Sequence, residues 1–262
     1  MIACGAGAGL AAVYNVPLGG ALFALEVLLG TLRVSAVIPA IATSAIAAYV
    51  AWIGLGDETP YVIPHLSITR SLIAWAIVAG PFLGCAASWF AKGVQRARAC
   101  APRDWRLPVW CAVVFPIIGL LAIPFPQIPG NGKGLAVLGF DGELTAGPAV
   151  QLLLLKVLAT IVCLRAGAEG GLMTPGIAIG TLIARVTGGM WNWIWPGTPP
   201  GAFAVVGGTA FLAASMRMPL TAIALLMEFT RVDHDFLIPM AFAVVGSMSA
   251  FRLSGQDQAA SR

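Results

Sequence analysis

The residues Gly167-Ala-Glu-Gly-Gly-Leu-Met-Thr-Pro175 form a polar break between two apolar runs. Gly170 and Gly171 permit a sharp turn and put no Cβ between the backbone and an approaching ion. With Gly167 and Pro175 they shape the loop. Pro175 suits the first turn of the following helix, where its missing N–H would have had no acceptor. The amides of Leu172, Met173 and Thr174 are then free to converge on one spot. A helix N-terminus carries about half a positive charge. Such a site holds an anion without a full fixed charge, so the ion can also leave. The plainer reading is an ordinary turn between two helices.

Few other residues could act on such an ion. Lys156 lies inside the apolar run 149–164. A charge at the centre of a bilayer costs about 2.5–3.5 kcal/mol on insertion scales. Lys156 therefore either snorkels to an interface or faces an aqueous vestibule. Arg165 and Glu169 flank the loop; they pair with each other, or Glu169 bears on pore electrostatics. Glu26 and Glu228 read best as helix-end carboxylates making structural hydrogen bonds. Gly5-Ala-Gly-Ala-Gly9 fails as a dinucleotide motif because Leu10 stands where a third glycine is needed. Gly130-Asn-Gly-Lys-Gly134 fails as a phosphate loop because Gly134 follows the lysine. His65 and His234 lie in polar breaks. No enzyme, metal or cofactor site is read from these residues.

The elements that carry the loop belong in lipid. The chain has 262 residues, 59% of them hydrophobic and 10% charged, with mean hydropathy +0.90. About 25% charge is usual for a soluble domain, so lipid is the solvent for most of this surface. Apolar runs fall near 16–31, 34–54, 71–91, 108–125, 149–164, 176–195, 201–214, 218–229 and 236–251. Several are shorter than the roughly 20 residues a span needs. Broken and re-entrant helices, as in transporters, fit this pattern. Polar breaks lie at 55–70, 92–107, 126–147, 165–175 and 230–235. Lys92, Arg96, Arg98, Arg103 and Arg106 stand against Asp104 alone. Their density places a loop at 92–107 in the cytoplasm; nucleic-acid binding is a poor reading of so short a stretch between apolar runs. The five cysteines have no C-x-x-C spacing and read as small hydrophobes.

The chain also repeats itself at an offset of 202 residues. Gly5 aligns with Gly207, Ala8 with Ala210, Pro17-Leu18 with Pro219-Leu220, and Glu26 with Glu228. Each copy reads as a small-residue helix, a Pro-Leu restart, an apolar helix and a terminal Glu. Such repeats are frequently inverted in transporters, with the ion site between halves. At this offset, the counterpart of the loop 167–175 falls before Met1, so an incomplete first half is expected.

Three stretches resemble the CLC family of chloride channels and exchangers. Gly171-Leu-Met-Thr-Pro175 resembles its G-x-F-x-P anion-binding motif, with Met173 in place of the usual Phe. Gly9-Leu-Ala-Ala-Val-Tyr-Asn-Val-Pro-Leu-Gly-Gly-Ala-Leu-Phe-Ala-Leu-Glu26 resembles G-L-A-A-x-F-N-x-P-L-x-G-x-L-F-x-x-E. Leu212-Ala-Ala-Ser-Met-Arg-Met-Pro-Leu-Thr221 resembles its second-half counterpart. The resemblance runs over about residues 4–251. It implies an all-α polytopic membrane protein with the CLC inverted-repeat fold, incomplete at the N-terminus, in the plasma (inner) membrane.

The implied organisation is the end of the first repeat at 1–54, then a linker, membrane helix and cytoplasmic basic loop at 55–107. The rest of the second repeat follows at 108–253 and a polar tail at 254–262. The resemblance also implies a homodimer with one pore per subunit, meeting through helices near 16–31, 34–54, 218–229 and 236–251. It implies two further motifs, G-S-x-x-P and G-x-E-G-P, and a central tyrosine, none of which is in this chain. The family's exchangers carry a proton-handling glutamate where this chain has Val27. Valine cannot carry a proton. The expectation is chloride or small-anion transport in a channel-like or uncoupled mode. Proton-coupled exchange of fluoride or chloride, and a non-transporting dimerising remnant, are the alternatives.

Overall fold

The computed structural model describes residues 1–57, 61, 63–142 and 144–254; of the polar tail, residues 255–262 lie outside that set. The described elements are helical throughout: α1 Ile2–Tyr14, α2 Pro17–Phe23, α3 Val34–Leu55, α4 Arg70–Ala99, α5 Arg106–Leu121, α6 Lys133–Phe140, α7 Ala146–Arg165, α8 Met173–Ile194, α9 Pro200–Met216, α10 Pro219–Thr230 and α11 Leu237–Leu253. A π-helical turn, Ala24–Leu29, continues α2. Four spans are long and apolar enough to cross a membrane: Val34–Leu55, Arg70–Ala99, Ala146–Arg165 and His234–Leu253.

The two copies of the repeat share the backbone of their break, although the first closes in a π turn and the second stays α-helical. Asn15 and Arg217 end α1 and α9 in the left-handed region, at φ 55° and 56°. Val16 and Met218 follow at φ −132°, with ψ 70° and 67°. Each donates its amide five residues back, to Ala11 and Ala213, at 3.1 Å. Pro17 and Pro219 then open α2 and α10 at a first-turn position that needs no N–H. A left-handed residue followed two positions on by a proline thus breaks each copy in the same way.

Their mutual packing shows that the repeat is inverted. Glu26 accepts from the amides of Leu220 (3.1 Å) and Thr221 (2.7 Å) and from the Thr221 hydroxyl (2.6 Å). Glu228 accepts from the amides of Leu18 (2.9 Å) and Gly19 (2.7 Å). The end of each copy caps the start of the other, so α2 and α10 lie antiparallel. The expectation of structural helix-end carboxylates is met, but each serves the opposite half rather than its own helix. A carboxylate at a helix N-terminus satisfies orphan amides and complements the helix dipole.

The core sits around α9, a 17-residue helix with 14 buried residues. At about 26 Å it is short for a bilayer span. Apolar on every side, it is a helix built for full burial. Close approach of α8 depends on small residues. A Cβ on Gly207 would lie 2.2 Å from the Ala184 Cβ. The α4 and α11 helices run parallel through the same device: a Cβ on Gly84 would lie 2.1 Å from the Ser247 carbonyl. Small residues that let backbones approach are the usual glue of membrane helices.

Three sequence expectations are corrected. The basic stretch 92–107 is not one loop: α4 runs through Lys92, Arg96 and Arg98 to Ala99, and α5 begins at Arg106. Cations in the last turn favour the helix dipole, so Arg96 and Arg98 extend the helix rather than end it. The polar break 126–147 contains α6. The break 55–70 is partly core: Tyr61 and Leu66 are buried, with the Tyr61 ring 5.4 Å from both Phe140 and Phe229.

Candidate functional site

Two helix ends and the turn between them build the site. Ahead of the loop, α7 finishes in a Schellman turn: Gly167 donates to Leu164 (3.1 Å) and Ala168 to Cys163 (3.0 Å). That motif needs a left-handed residue, and Gly167 supplies it at φ 99°. The sharp turn belongs to Gly167 rather than to Gly170 and Gly171, neither of which has a left-handed φ. What Gly170 and Gly171 provide is clearance, since a Cβ on either would meet nothing within 4 Å.

Beyond the loop, α8 starts at Met173, with Leu172 as its N-cap and Pro175 in its first turn. It begins three residues before the apolar run at 176–195, because the first-turn amides need no helical acceptor. No side chain caps it. Among the described hydrogen bonds, none is donated by the amides of Leu172, Met173 or Thr174. Leu172 lines a cavity of about 320 Å³ with Glu169, Gly170, Gly171, Pro175, Lys156 and Thr160. Met173 is half-buried and Thr174 buried, the latter 7% exposed.

Lys156 does not snorkel. It is 3% exposed, and its ammonium donates to the carbonyls of Ile128 (2.8 Å) and Gly130 (2.9 Å). The chain before α6 folds over α7 and supplies acceptors in place of water. A charge buried with partners is tolerable where a bare one is not. Lys156 shares the cavity wall with Cys163, two turns further along the same helical face. This face, Lys156, Thr160 and Cys163, has the i, i+4, i+7 spacing of a helix. Sequence reading singled out Lys156 and passed over the other two, although that spacing was visible.

The remaining expectations divide. Glu169 is exposed, and no ion pair joins it to Arg165 among the described contacts. The Arg165 guanidinium lies over the Trp110 ring instead, 5.1 Å from its centroid. Val27 is 37% exposed within the π turn. Buried Arg185 escaped sequence reading; it donates to the carbonyls of Gly142 (2.9 Å) and Leu144.

This fold and loop define the class of protein. The family described as voltage gated chloride channel matches residues 1–252, and the chain belongs to it. Among curated relatives, the H(+)/Cl(-) exchange transporter ClcA of Salmonella paratyphi A is 29% identical over 257 residues, covering 94% of this chain and 54% of its own length. The protein of that name from Klebsiella pneumoniae is 30% identical with the same coverage. The chain therefore spans about half the length of these relatives. A slow cyanobacterial Cl-/H+ antiporter superposes with TM-score 0.86 at 22% identity, over 97% of this chain and 61% of that one. A eukaryotic CLC transporter superposes with TM-score 0.76 at 20% identity, over 96% and 43%. Both likenesses concern the fold.

Proposed function

We propose that this chain forms one wall of a transmembrane anion pathway, with chloride as the ion, coordinated by the backbone amides of Leu172, Met173 and Thr174. The observation that carries the reading is the cavity shared by the α8 N-terminus and the Lys156 ammonium. Leu172 at the helix N-terminus, the helix dipole and a buried cation meet at this cavity, and each favours an anion; Met173 and Thr174 lie outside its lining. The positive ends are fixed before an ion arrives, so binding costs little rearrangement. Met173 changes the width at the motif position rather than the ligand, because the ligand is the backbone. Glu169 modulates the potential at the cavity rim.

The mode of transport turns on Val27. No proton can rest there, which supports channel-like or uncoupled movement. The names of the curated relatives support proton-coupled exchange as the second reading. The protein is multi-pass, in the plasma (inner) membrane, with the basic end of α4 on the cytoplasmic side. It pairs with a second copy through α2, α3, α10 and α11, on which Leu18, Ile38, Leu220 and Ile238 are exposed.

Liposome flux tests the reading. The longest natural form carrying this chain should release chloride from loaded vesicles. A chloride gradient should drive no proton uptake. Proton uptake against its own gradient would establish exchange, and fluoride outcompeting chloride would reassign the ion. Stable dimers without any anion flux would leave the non-transporting scaffold.

A further inference from the structure

We infer that Arg98 is a positioning residue for the anion loop: from outside the cavity it holds the Gly170 carbonyl and so turns the Gly171 N–H into the site. The inference rests on the anion-binding reading above and adds a fourth amide to it.

Arg98 stands in the last turn of α4, far from the loop in sequence. Its Nη2 donates to the Gly170 carbonyl at 3.2 Å. Gly170 separates two spaces. One is the cavity with Lys156. The other is a polar cavity of about 590 Å³ lined by Arg98, Arg103, Leu107 and Glu169. Gly170 borders both, whereas Gly171 borders the Lys156 side. A trans peptide points its C=O and N–H in opposite directions, and the described chain has no cis peptide. A Gly170 carbonyl drawn toward Arg98 therefore sends the Gly171 N–H toward the Lys156 cavity, which Leu172 also lines.

Among the described contacts, the rest of the loop is anchored at its start. The Cys111 thiol donates to the Ala166 carbonyl at 3.5 Å. Leu107 closes on Gly167, where a Cβ would lie 2.2 Å from its Cδ1. From Glu169 to Gly171, the Arg98 bond is the one side-chain bond described. Two glycines with no neighbour around their Cβ positions cannot set that peptide by packing. Left alone, it would sample both orientations, because glycine has few steric preferences. Arg98 selects one, and its charge polarises the peptide whose N–H faces the ion.

A steering charge is the competing account, and salt separates the two. A guanidinium acting at a distance loses its effect when the Debye length shrinks to a few ångströms; a peptide orientation does not. Chloride and bromide affinities should be measured calorimetrically on the intact protein, for the parent, Arg98→Met and Arg98→Lys, in low and high gluconate. Arg98→Met should bind chloride about fivefold more weakly at both salt levels. Its chloride-to-bromide ratio should change and its thermal midpoint should not. Arg98→Lys, which keeps one donor, should fall between. Unchanged affinity in Arg98→Met would overturn the inference, as would a loss that vanishes in high gluconate or leaves the anion ratio intact. A thermal shift without an affinity change would make Arg98 merely structural. A parent that binds no chloride would instead sink the anion-loop reading itself.

Discussion

The α1–α2 and α9–α10 copies share the backbone of their break and part company in most of what surrounds it. Asn15 and Arg217 hold the same left-handed turn, yet Asn15 donates to Asp57 while Arg217 lies over the Phe251 ring. Of α1, only Cys4, Gly7 and Ala11 are buried; of α9, 14 of 17 residues are. After Glu26 comes Val27, 37% exposed; after Glu228 comes Phe229, 1% exposed and packed tilted against Tyr14 and edge-on against Tyr61. A repeat motif thus dictates where the chain turns and what caps it. Burial, and with it the tolerance of each position, depends on which helices happen to pack against the copy.

The equivalent glycines give the largest predicted contrast. Gly207→Ala would drive a Cβ into Ala184, 2.2 Å away, whereas a Cβ at Gly5 meets nothing within 4 Å. Overpacking of this kind costs about 1–3 kcal/mol, occasionally more. Gly207→Ala should therefore lower the thermal midpoint of the purified chain by several degrees or abolish accumulation, while Gly5→Ala should leave it within about 1 °C. Equal damage at both sites would mean that α1 is packed as tightly as α9 in the native assembly.

Next come the reciprocal carboxylates. Glu26 accepts three hydrogen bonds and Glu228 two. Bonds to a charged group contribute about 1.5–3 kcal/mol each at most, less at this partial exposure. Glu26→Ala should cost about 2–3 kcal/mol and Glu228→Ala about 1–2 kcal/mol, read from detergent melting curves. The two act on opposite ends of one helix pair, so the double variant should lose less than the sum. Strict additivity would show that the caps stabilise their helices separately rather than clamping the repeats together.

A comparable effect should follow at the cavity. Lys156→Met removes the cation and strands the carbonyls of Ile128 and Gly130. Chloride affinity should fall about three- to tenfold, with a stability loss of about 1–3 kcal/mol. Retained affinity would confine Lys156 to holding the 126–132 segment.

The smallest effect concerns Asp57, which links the first copy to the second. The Asn15 amide, and then the Arg231 guanidinium, hold its carboxyl below the usual carboxylate range. A depressed carboxylate stabilises the fold at neutral pH, and that contribution disappears as pH falls through its lowered value. Wild-type protein should lose a small increment of stability below the usual carboxylate range that Asp57→Asn lacks. Because the group is exposed, the difference should be near the limit of a melting experiment. An equal acid response in both proteins would remove Asp57 from the link.

The sequence by itself determined the helical class, the membrane setting, the two break points and the loop. Each rests on local chemistry: hydropathy, a Pro-Leu restart after a small-residue helix, and a Gly-rich turn ahead of a helix. It also showed that Glu26 and Glu228 end equivalent helices. Only the tertiary structure decided what those groups touch. Lys156 reads as a cation that snorkels or faces a vestibule until the carbonyls of Ile128 and Gly130, 28 and 26 residues away, come within reach. Arg96 and Arg98 read as loop charges until α4 carries them a further two turns. Glu26 finds its partners 194 and 195 residues on, in the opposite repeat. Hydrogen-bond partners lie across packed elements, and local composition carries no record of which elements will meet. Helix starts and stops are written in neighbouring residues; the ligands of a buried charge are set by packing.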